Sequence, residues 1–351
     1  MGLDLGADVA ELTAAVVDIE SVSGSERELA DAVEEALAPL GHLRVERDGD
    51  AVIARTELGR AERVVIAGHL DTVPVNGNLP SKVVGDRLYG CGTSDMKSGL
   101  AVMLKLAATV TEPRRDVTYL FYECEEVEEA RNGLARLAAS RPEVLKGDFA
   151  VLMEPTCAAI EGGCQGTIRV EVTASGERAH SARSWMGVNA IHRAGEILDI
   201  LRAYRPRKPV VDGLEYHEGL NAVFVRGGVA GNVIPDECTV TVNYRFAPDK
   251  TLAEAEAYLR ELFAGFAVEV VDAAEAARPG LHHPAAADFV AAVGGTPRAK
   301  LGWTDVARFS ALGVPAVNYG PGDPPLAHTK DEYVEIPRIR ECEERMRAWL
   351  S

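Results

Sequence analysis

Few folds accommodate the junction at residue 68, where the apolar run Val64-Val65-Ile66-Ala67 gives way to Gly68-His69-Leu70-Asp71-Thr72-Val73-Pro74. A short, mostly β-branched run bounded by glycine reads as a buried strand. His69 and Asp71 then emerge together at its end, and two residues apart in extended chain they point the same way. The pair suits an imidazole that binds a metal and a carboxylate that orients it from behind.

The surrounding segments repeat this grammar. Ser25-Glu26-Arg27-Glu28 predicts a capping box ahead of a helix over 29–40, the second of two near the start. Strands are expected at 51–55, 64–67, 117–122 and 149–153, and helices at 97–109 and 132–139. Such alternation argues for an α/β layer structure with a largely parallel sheet. Beyond about residue 167 the order becomes β-α-β-β-α-β, with strands at 168–174, 222–226, 239–246 and 267–271 and helices at 188–204 and 251–263. That order predicts a small ferredoxin-like domain. The segment Arg278-Pro279-Gly280-Leu281-His282-His283-Pro284 marks a return to the first pattern, with a further strand at 314–319. The expected organisation is a discontinuous first domain, 1–167 plus 283–351, with 168–282 inserted.

Charge narrows the choice of partners. Lys+Arg 37 against Asp+Glu 54 leaves a formal charge of −17, and such a surface repels phosphate backbones and anionic membranes. No nucleic acid or membrane partner is expected. The opening Met1-Gly2-Leu3-Asp4 lacks the basic–apolar–small pattern of a signal peptide, and the six cysteines form no CxxC pair. Both features point to free thiols in the cytoplasm.

The chemistry should sit where the strands end, because open α/β sheets bind ligands beyond the carboxyl ends of their strands. His69 and Asp71 follow the first run; Glu123, Glu125 and Glu126 follow 117–122; Glu154 follows 149–153; His328 lies in the loop after 314–319; Asp95 sits at the mouth of the 97–109 helix. Taken singly, each has a plainer reading: a core histidine, a solvated acidic face, a helix N-cap. Gathered in one cleft, that many carboxylates could not all stay ionised unaided, and a pair of divalent cations relieves the repulsion. Two imidazoles with carboxylates suit zinc.

The stretches GHLDTVP (68–74), YGCGTSDMKSG (89–99), ECEEVE (123–128), MEPT (153–156) and GPGDPPLAHTKDE (320–332) resemble the M20-type di-zinc aminoacylases and exopeptidases. The match is most similar to the branch of that family that hydrolyses N-succinyl-LL-2,6-diaminopimelate, in its actinobacterial form. The resemblance implies an α/β/α catalytic domain carrying an inserted lid and dimerisation domain, two Zn2+ per chain (Co2+ as a substitute), a small N-acyl amino acid as substrate, and a homodimer formed through the insert. It also implies roles. His69 and Glu154 would hold one zinc, Glu126 and His328 the other, and Asp95 would bridge them, with a cis peptide after it. Asp71 would hydrogen-bond the His69 ring, and Glu125 would be the general base. The family often has aspartate where this chain has Cys124, for which packing is expected. His180 would stabilise the oxyanion in the partner subunit's site. Arg178, Asn232, Arg245, Thr304 and Arg308 would bind the substrate, and with Arg183 the arginines would form a positive island for its carboxylates. Alternatives within the family are acetylornithine deacetylase or another deacylase or peptidase. Outside catalysis, the alternative is a silent small-molecule binding protein.

Overall fold

The computed structural model describes residues 2–351. Strand Arg63–His69 lies inside an eight-stranded sheet, and its residues from Val64 onward are buried. It runs parallel to Asp116–Tyr122 on one side and to Phe149–Leu152 on the other, and Ala316–Asn318 continues the parallel set. Buried runs of this kind are what a parallel sheet needs when both faces are covered. The flank is antiparallel: Ala51–Arg55 pairs with Asp116–Tyr122, and Arg44–Asp48 pairs with Ala51–Arg55.

Helix Ser98–Thr109 is buried almost all round, and packs with Val9–Val17, Arg27–Leu37 and Ile336–Leu350 in the main apolar core. A helix apolar on every side belongs in such an interior. Phe149, Phe289, Tyr319 and Trp349 contact one another through tilted or edge-on rings. The capping box expected at Ser25 does not form. Helix Arg27–Leu37 begins after Glu26 with no side-chain cap, because the Glu26 carboxylate turns away to accept from Gly24 N and Cys124 N.

The chain divides into two compact units. One comprises the chain up to Gly163, with Pro279–Arg298 and Asp305–Ser351; the other comprises Cys164–Arg278 and Ala299–Thr304. The second unit follows β-α-β-β-α-β order. Its strands Gly166–Ser175, Gly219–Gly227, Glu237–Phe246 and Ala267–Ala274 form one antiparallel sheet, with Gly219–Gly227 at one edge and Ala267–Ala274 at the other. Helices Ala190–Ala203 and Leu252–Leu262 cover it. Burial alternates along Gly166–Ser175, the mark of a sheet with one covered face. A capping box does form here, at Thr251 and Glu254. Residues Ala299–Thr304, assigned from the sequence to the first domain, group with the second: Trp303 Nε1 donates to Glu275 O and Cys164 Sγ to Thr304 O.

Candidate active site

His69 is the last residue of its strand and stands opposite Tyr122, the last of the neighbouring strand. Parallel pairing therefore delivers His69 and the Glu123–Glu126 turn to the same end of the sheet. Glu154 arrives there too, two residues after Phe149–Leu152. Asp95 comes from the segment that leads into helix Ser98–Thr109, and the Asp95–Met96 peptide is cis. His328 comes from the loop after Ala316–Asn318. That loop can lie against the Asp95 segment only because residue 322 is glycine: a Cβ there would sit 2.1 Å from Ser94 O.

The two imidazoles flank one carboxylate. His69 Nε2 lies 3.2 Å from Asp95 Oδ1, and His328 Nε2 lies 3.6 Å from Asp95 Oδ2. Each oxygen of Asp95 thus faces a different histidine. His328 Nε2 also lies 2.7 Å from Glu126 Oε1. Donor atoms of His69, Asp95 and Glu126 fall within 4.8 Å of one another. Glu154 lies outside that tight set, but it is buried and its charge is felt by Glu125.

The electrostatics describe a site with more negative charge than it can hold unaided. Burial pushes the Glu125 carboxyl well above the usual range; His69 pulls it down, while Glu154 and Glu126 push it further. Burial also raises Glu126, against the bond from His328. His69 is buried, which disfavours its charged form, yet Asp71 and Asp95 outweigh that and hold its pKa well above normal. The bond to Glu126 lifts His328 to about 9. Divalent cations would relieve both tendencies at once, and the nitrogen and carboxylate donors fit zinc.

Asp71 works differently from expectation. The His69 Nδ1 partner is the Asp71 backbone carbonyl at 3.0 Å, with the carboxylate Oδ1 farther off at 3.5 Å. The carboxylate is occupied by other donors: Glu125 N at 2.9 Å, Glu126 N at 3.0 Å and Ser23 Oγ at 2.7 Å. Burial would raise its pKa, but His69 and these donors bring it to about 2. One residue therefore orients the His69 ring through its main chain and pins the Glu125-Glu126 backbone through its side chain.

Cys124 does more than pack. It has φ 58°, and its N and Sγ both donate to Glu26 Oε1, at 3.2 and 3.3 Å. Burial and the facing carboxylate push its thiol up to about 12. Glu26 escaped notice because it sits 98 residues before Cys124 and reads as part of a helix start. Glu332 escaped too: its carboxylate accepts from Gly92 N, Ser94 N and Asp95 N at 3.0, 2.8 and 3.0 Å.

The residues nominated for substrate are less concentrated. In the second unit, Ala179-His180 pairs with Val233-Ile234 in a two-residue antiparallel bridge, and Ser181 N donates to Asn232 O at 2.9 Å, so His180 and Asn232 are neighbours. His180 is exposed, and its Nδ1 accepts from Ala182 N. That bond places the ring proton on Nε2. Arg178 is exposed and bonded to Asp236. Arg245 is half-buried on strand Glu237–Phe246 with no ion pair among the described residues, and burial lowers its pKa. Thr304 is buried. In the first unit, Arg308 grips Glu129 at 2.6 and 2.7 Å and also bonds Asp305. Asp305 in turn accepts from Tyr122 OH and Asn132 Nδ2. Of the four arginines expected to form a positive island, Arg178 and Arg308 are thus neutralised by carboxylates of this chain.

Residues 65–351 match the profile of peptidase family M20/M25/M40. A Mycobacterium tuberculosis protein, provisionally named succinyl-diaminopimelate desuccinylase DapE, is 55% identical over 99% of this chain and 99% of its own. The succinyl-diaminopimelate desuccinylase of Corynebacterium glutamicum is 48% identical over 100% of this chain and 98% of its own. Among solved structures, a Staphylococcus aureus tripeptidase superposes with a TM-score of 0.78 at 19% identity, covering 100% of this chain and 98% of that one. Bacillus subtilis YXEP, described as a dinuclear metal-binding peptidase of the M20 family, gives 0.70 at 17% identity, covering 97% and 96%. The profile covers most of the sequence and the two relatives nearly all of it: the chain belongs to peptidase family M20/M25/M40.

Proposed function

We propose that this protein hydrolyses the amide bond of N-succinyl-LL-2,6-diaminopimelate, releasing succinate and LL-2,6-diaminopimelate for lysine and cell-wall precursor synthesis in the cytoplasm. The observation that carries the hydrolytic reading is the Asp95 carboxylate set between two imidazoles, one oxygen towards each. The substrate comes from the names of relatives 55% and 48% identical along almost the whole chain.

His69, Glu154 and Asp95 would hold one zinc, and Glu126, His328 and Asp95 the other. Bound there, the cations would acidify water and polarise the scissile carbonyl. Glu125 takes the proton of the attacking water and returns it to the leaving amine nitrogen. Its place next to the ligand Glu126 in the chain, held by Asp71, suits a group that must carry a proton from the water oxygen to the amine nitrogen. Asp71 keeps Glu125 in place through the backbone bonds described above. His180, with its proton on Nε2, donates to the developing oxyanion from the partner subunit. Arg245 offers a planar fork for a substrate carboxylate. Asn232, Thr304, Arg178 and Arg308 complete the contacts; Arg178 and Arg308 would have to exchange their present carboxylate partners for the substrate's.

The homodimer is proposed through the second unit, whose edge strand Gly219–Gly227 leaves Val223, Phe224 and Val225 exposed. An apolar unpaired edge is a template for another chain. No helix among the described residues is long and apolar enough to cross a membrane.

A substrate panel with zinc present tests the reading. Succinate release from N-succinyl-LL-2,6-diaminopimelate should be the fastest reaction and should vanish with a chelator. A preference of about tenfold for acetylornithine, worth some 1.4 kcal/mol in the barrier, would move the protein to the deacetylase branch.

A further inference from the structure

Glu332 has no place in the ligand set or the proton path, yet it is 2% exposed and its carboxylate is fully engaged. Oε1 accepts from Ser94 N and Asp95 N, and Oε2 accepts from Gly92 N. The Gly92–Asp95 turn can present these N–H groups to one carboxylate because Gly92 has φ 78°. Further ties run between the same two segments. Ser94 Oγ donates to Tyr333 O at 2.8 Å and accepts from Asp323 N at 3.1 Å, and Gly90 N donates to Glu332 O at 3.1 Å. Strand Tyr333–Glu335 pairs with Arg87–Tyr89 just before the turn. Glu332 follows His328 by four residues, so one short stretch of chain both supplies an imidazole and grips the backbone of the carboxylate that imidazole faces.

We propose that Glu332 is a positioning residue that locks the Asp95 backbone so that the two carboxylate oxygens point at His69 and at His328. The proposal rests on the two-cation reading above. Burying a further negative charge beside a cluster of carboxylates is costly unless it is fully hydrogen-bonded. The three N–H donors satisfy it, and a carboxylate alone among side chains of this length offers two acceptor oxygens and no donor. Glutamine would turn an NH2 group towards one of the N–H groups. The clamp would therefore act on metal binding through Asp95: without it, the Asp95 carboxylate would no longer be held with one oxygen towards His69 and the other towards His328.

The test is zinc affinity, measured by competition with a chromophoric chelator, alongside thermal unfolding of the metal-free protein. Glu332→Gln should weaken overall affinity for the zinc pair at least ~10-fold, the scale for losing a group that orients a metal ligand. It should lower kcat more than KM, and the metal-free variant should unfold at a somewhat lower midpoint, because one buried N–H group then meets an NH2 group with or without metal. Wild-type zinc affinity in Glu332→Gln would overturn the proposal and leave the carboxylate a loop tie only. Should that variant fail to fold, Glu332→Asp, which keeps both acceptor oxygens but withdraws them from the turn by one methylene, carries the test: weakened zinc binding supports the clamp and unchanged binding overturns it. A wild-type protein that takes up no zinc would remove the two-cation reading itself, a failure visible before any variant is compared.

Discussion

In the first unit the groups proposed for catalysis are gripped by hydrogen bonds that originate elsewhere in the chain. Asp71 holds the Glu125 and Glu126 backbone, Glu332 holds the Asp95 turn, and Glu26 holds Cys124. In the second unit His180, Asn232, Arg178 and Arg183 all lie exposed, and the first two are held near each other by a bridge only two residues long and one bond from Ser181 N to Asn232 O. Chemistry that must move charge within about an ångström is served by groups fixed before substrate arrives. Recognition groups on loops can wait for substrate or a partner chain to order them. The two regions therefore predict different responses to substitution: loss of rate in the first, and loss of completion or affinity in the second.

The sharpest break concerns Glu125. Glu125→Gln keeps the size and the backbone bond to Asp71 but removes the proton carrier, so kcat should fall at least ~100-fold. Zinc content should not change, because Glu126 rather than Glu125 faces His328. Near-normal turnover would take the base role away from Glu125 and undo the contrast at its strongest point.

His180 probes the other region. His180→Ala should lower kcat on the order of tenfold to a hundredfold with zinc content intact, as when one oxyanion donor is lost. The proposed service of His180 in the partner subunit's site makes a further demand. Mixed with Glu125→Gln protein, the His180→Ala protein should regain part of the activity in hybrid dimers, because one site then has both an intact base and an intact partner histidine. Hybrids no more active than the parents would place His180 outside catalysis across subunits.

A smaller effect tests the grip itself. Cys124→Asp would set a second carboxylate against Glu26 in a site where the thiol is now 3.3 Å from Oε1. Two facing carboxylates there would have to share Arg131, whose Nη2 lies 3.8 Å from the present thiol, and the exchange should cost about 1 kcal/mol, seen as a lower unfolding midpoint. Adding Glu26→Gln should recover most of it by restoring a donor. If Cys124→Asp is as stable as wild type, Glu26 and Cys124 are neighbours without coupling.

How much of this was legible in the sequence follows the same division. Strand ends marked by Gly68-His69 and by Met153-Glu154 announced themselves, because a polar group that ends an apolar run has little else to do. The ferredoxin-like order of the second unit was equally plain, each element having its own period. What stayed hidden were the second partners of visible residues. Nothing near Asp71 shows that its carboxylate serves Glu125 and Glu126, 54 and 55 residues away. Glu26 looked like part of a capping box because Ser25 and Glu28 have the right spacing, yet tertiary demand from the Cys124 turn outweighed the local preference. Short strands such as Lys82–Val84 and Arg87–Tyr89 escaped because three residues carry no period. The carboxylate partners of Arg178 and Arg308 were hidden in the same way: Asp236 and Glu129 lie 58 and 179 residues from them, and a chain of charge −17 has such partners close at hand.

That last point sets apart two arginines of the second unit. Arg178 is exposed and already bonded to Asp236, so its contribution is screened by water and shared with a competitor. Arg178→Ala should change KM by less than about twofold and leave the unfolding midpoint unchanged. Arg245 is half-buried on a strand, and its desolvated guanidinium has a reason to await an anion. Arg245→Lys keeps the charge but loses the planar fork, and should raise KM for the dicarboxylic substrate several-fold, roughly 1 kcal/mol, with kcat little changed. An equal response from both arginines would mean that burial does not decide which of them reads the substrate.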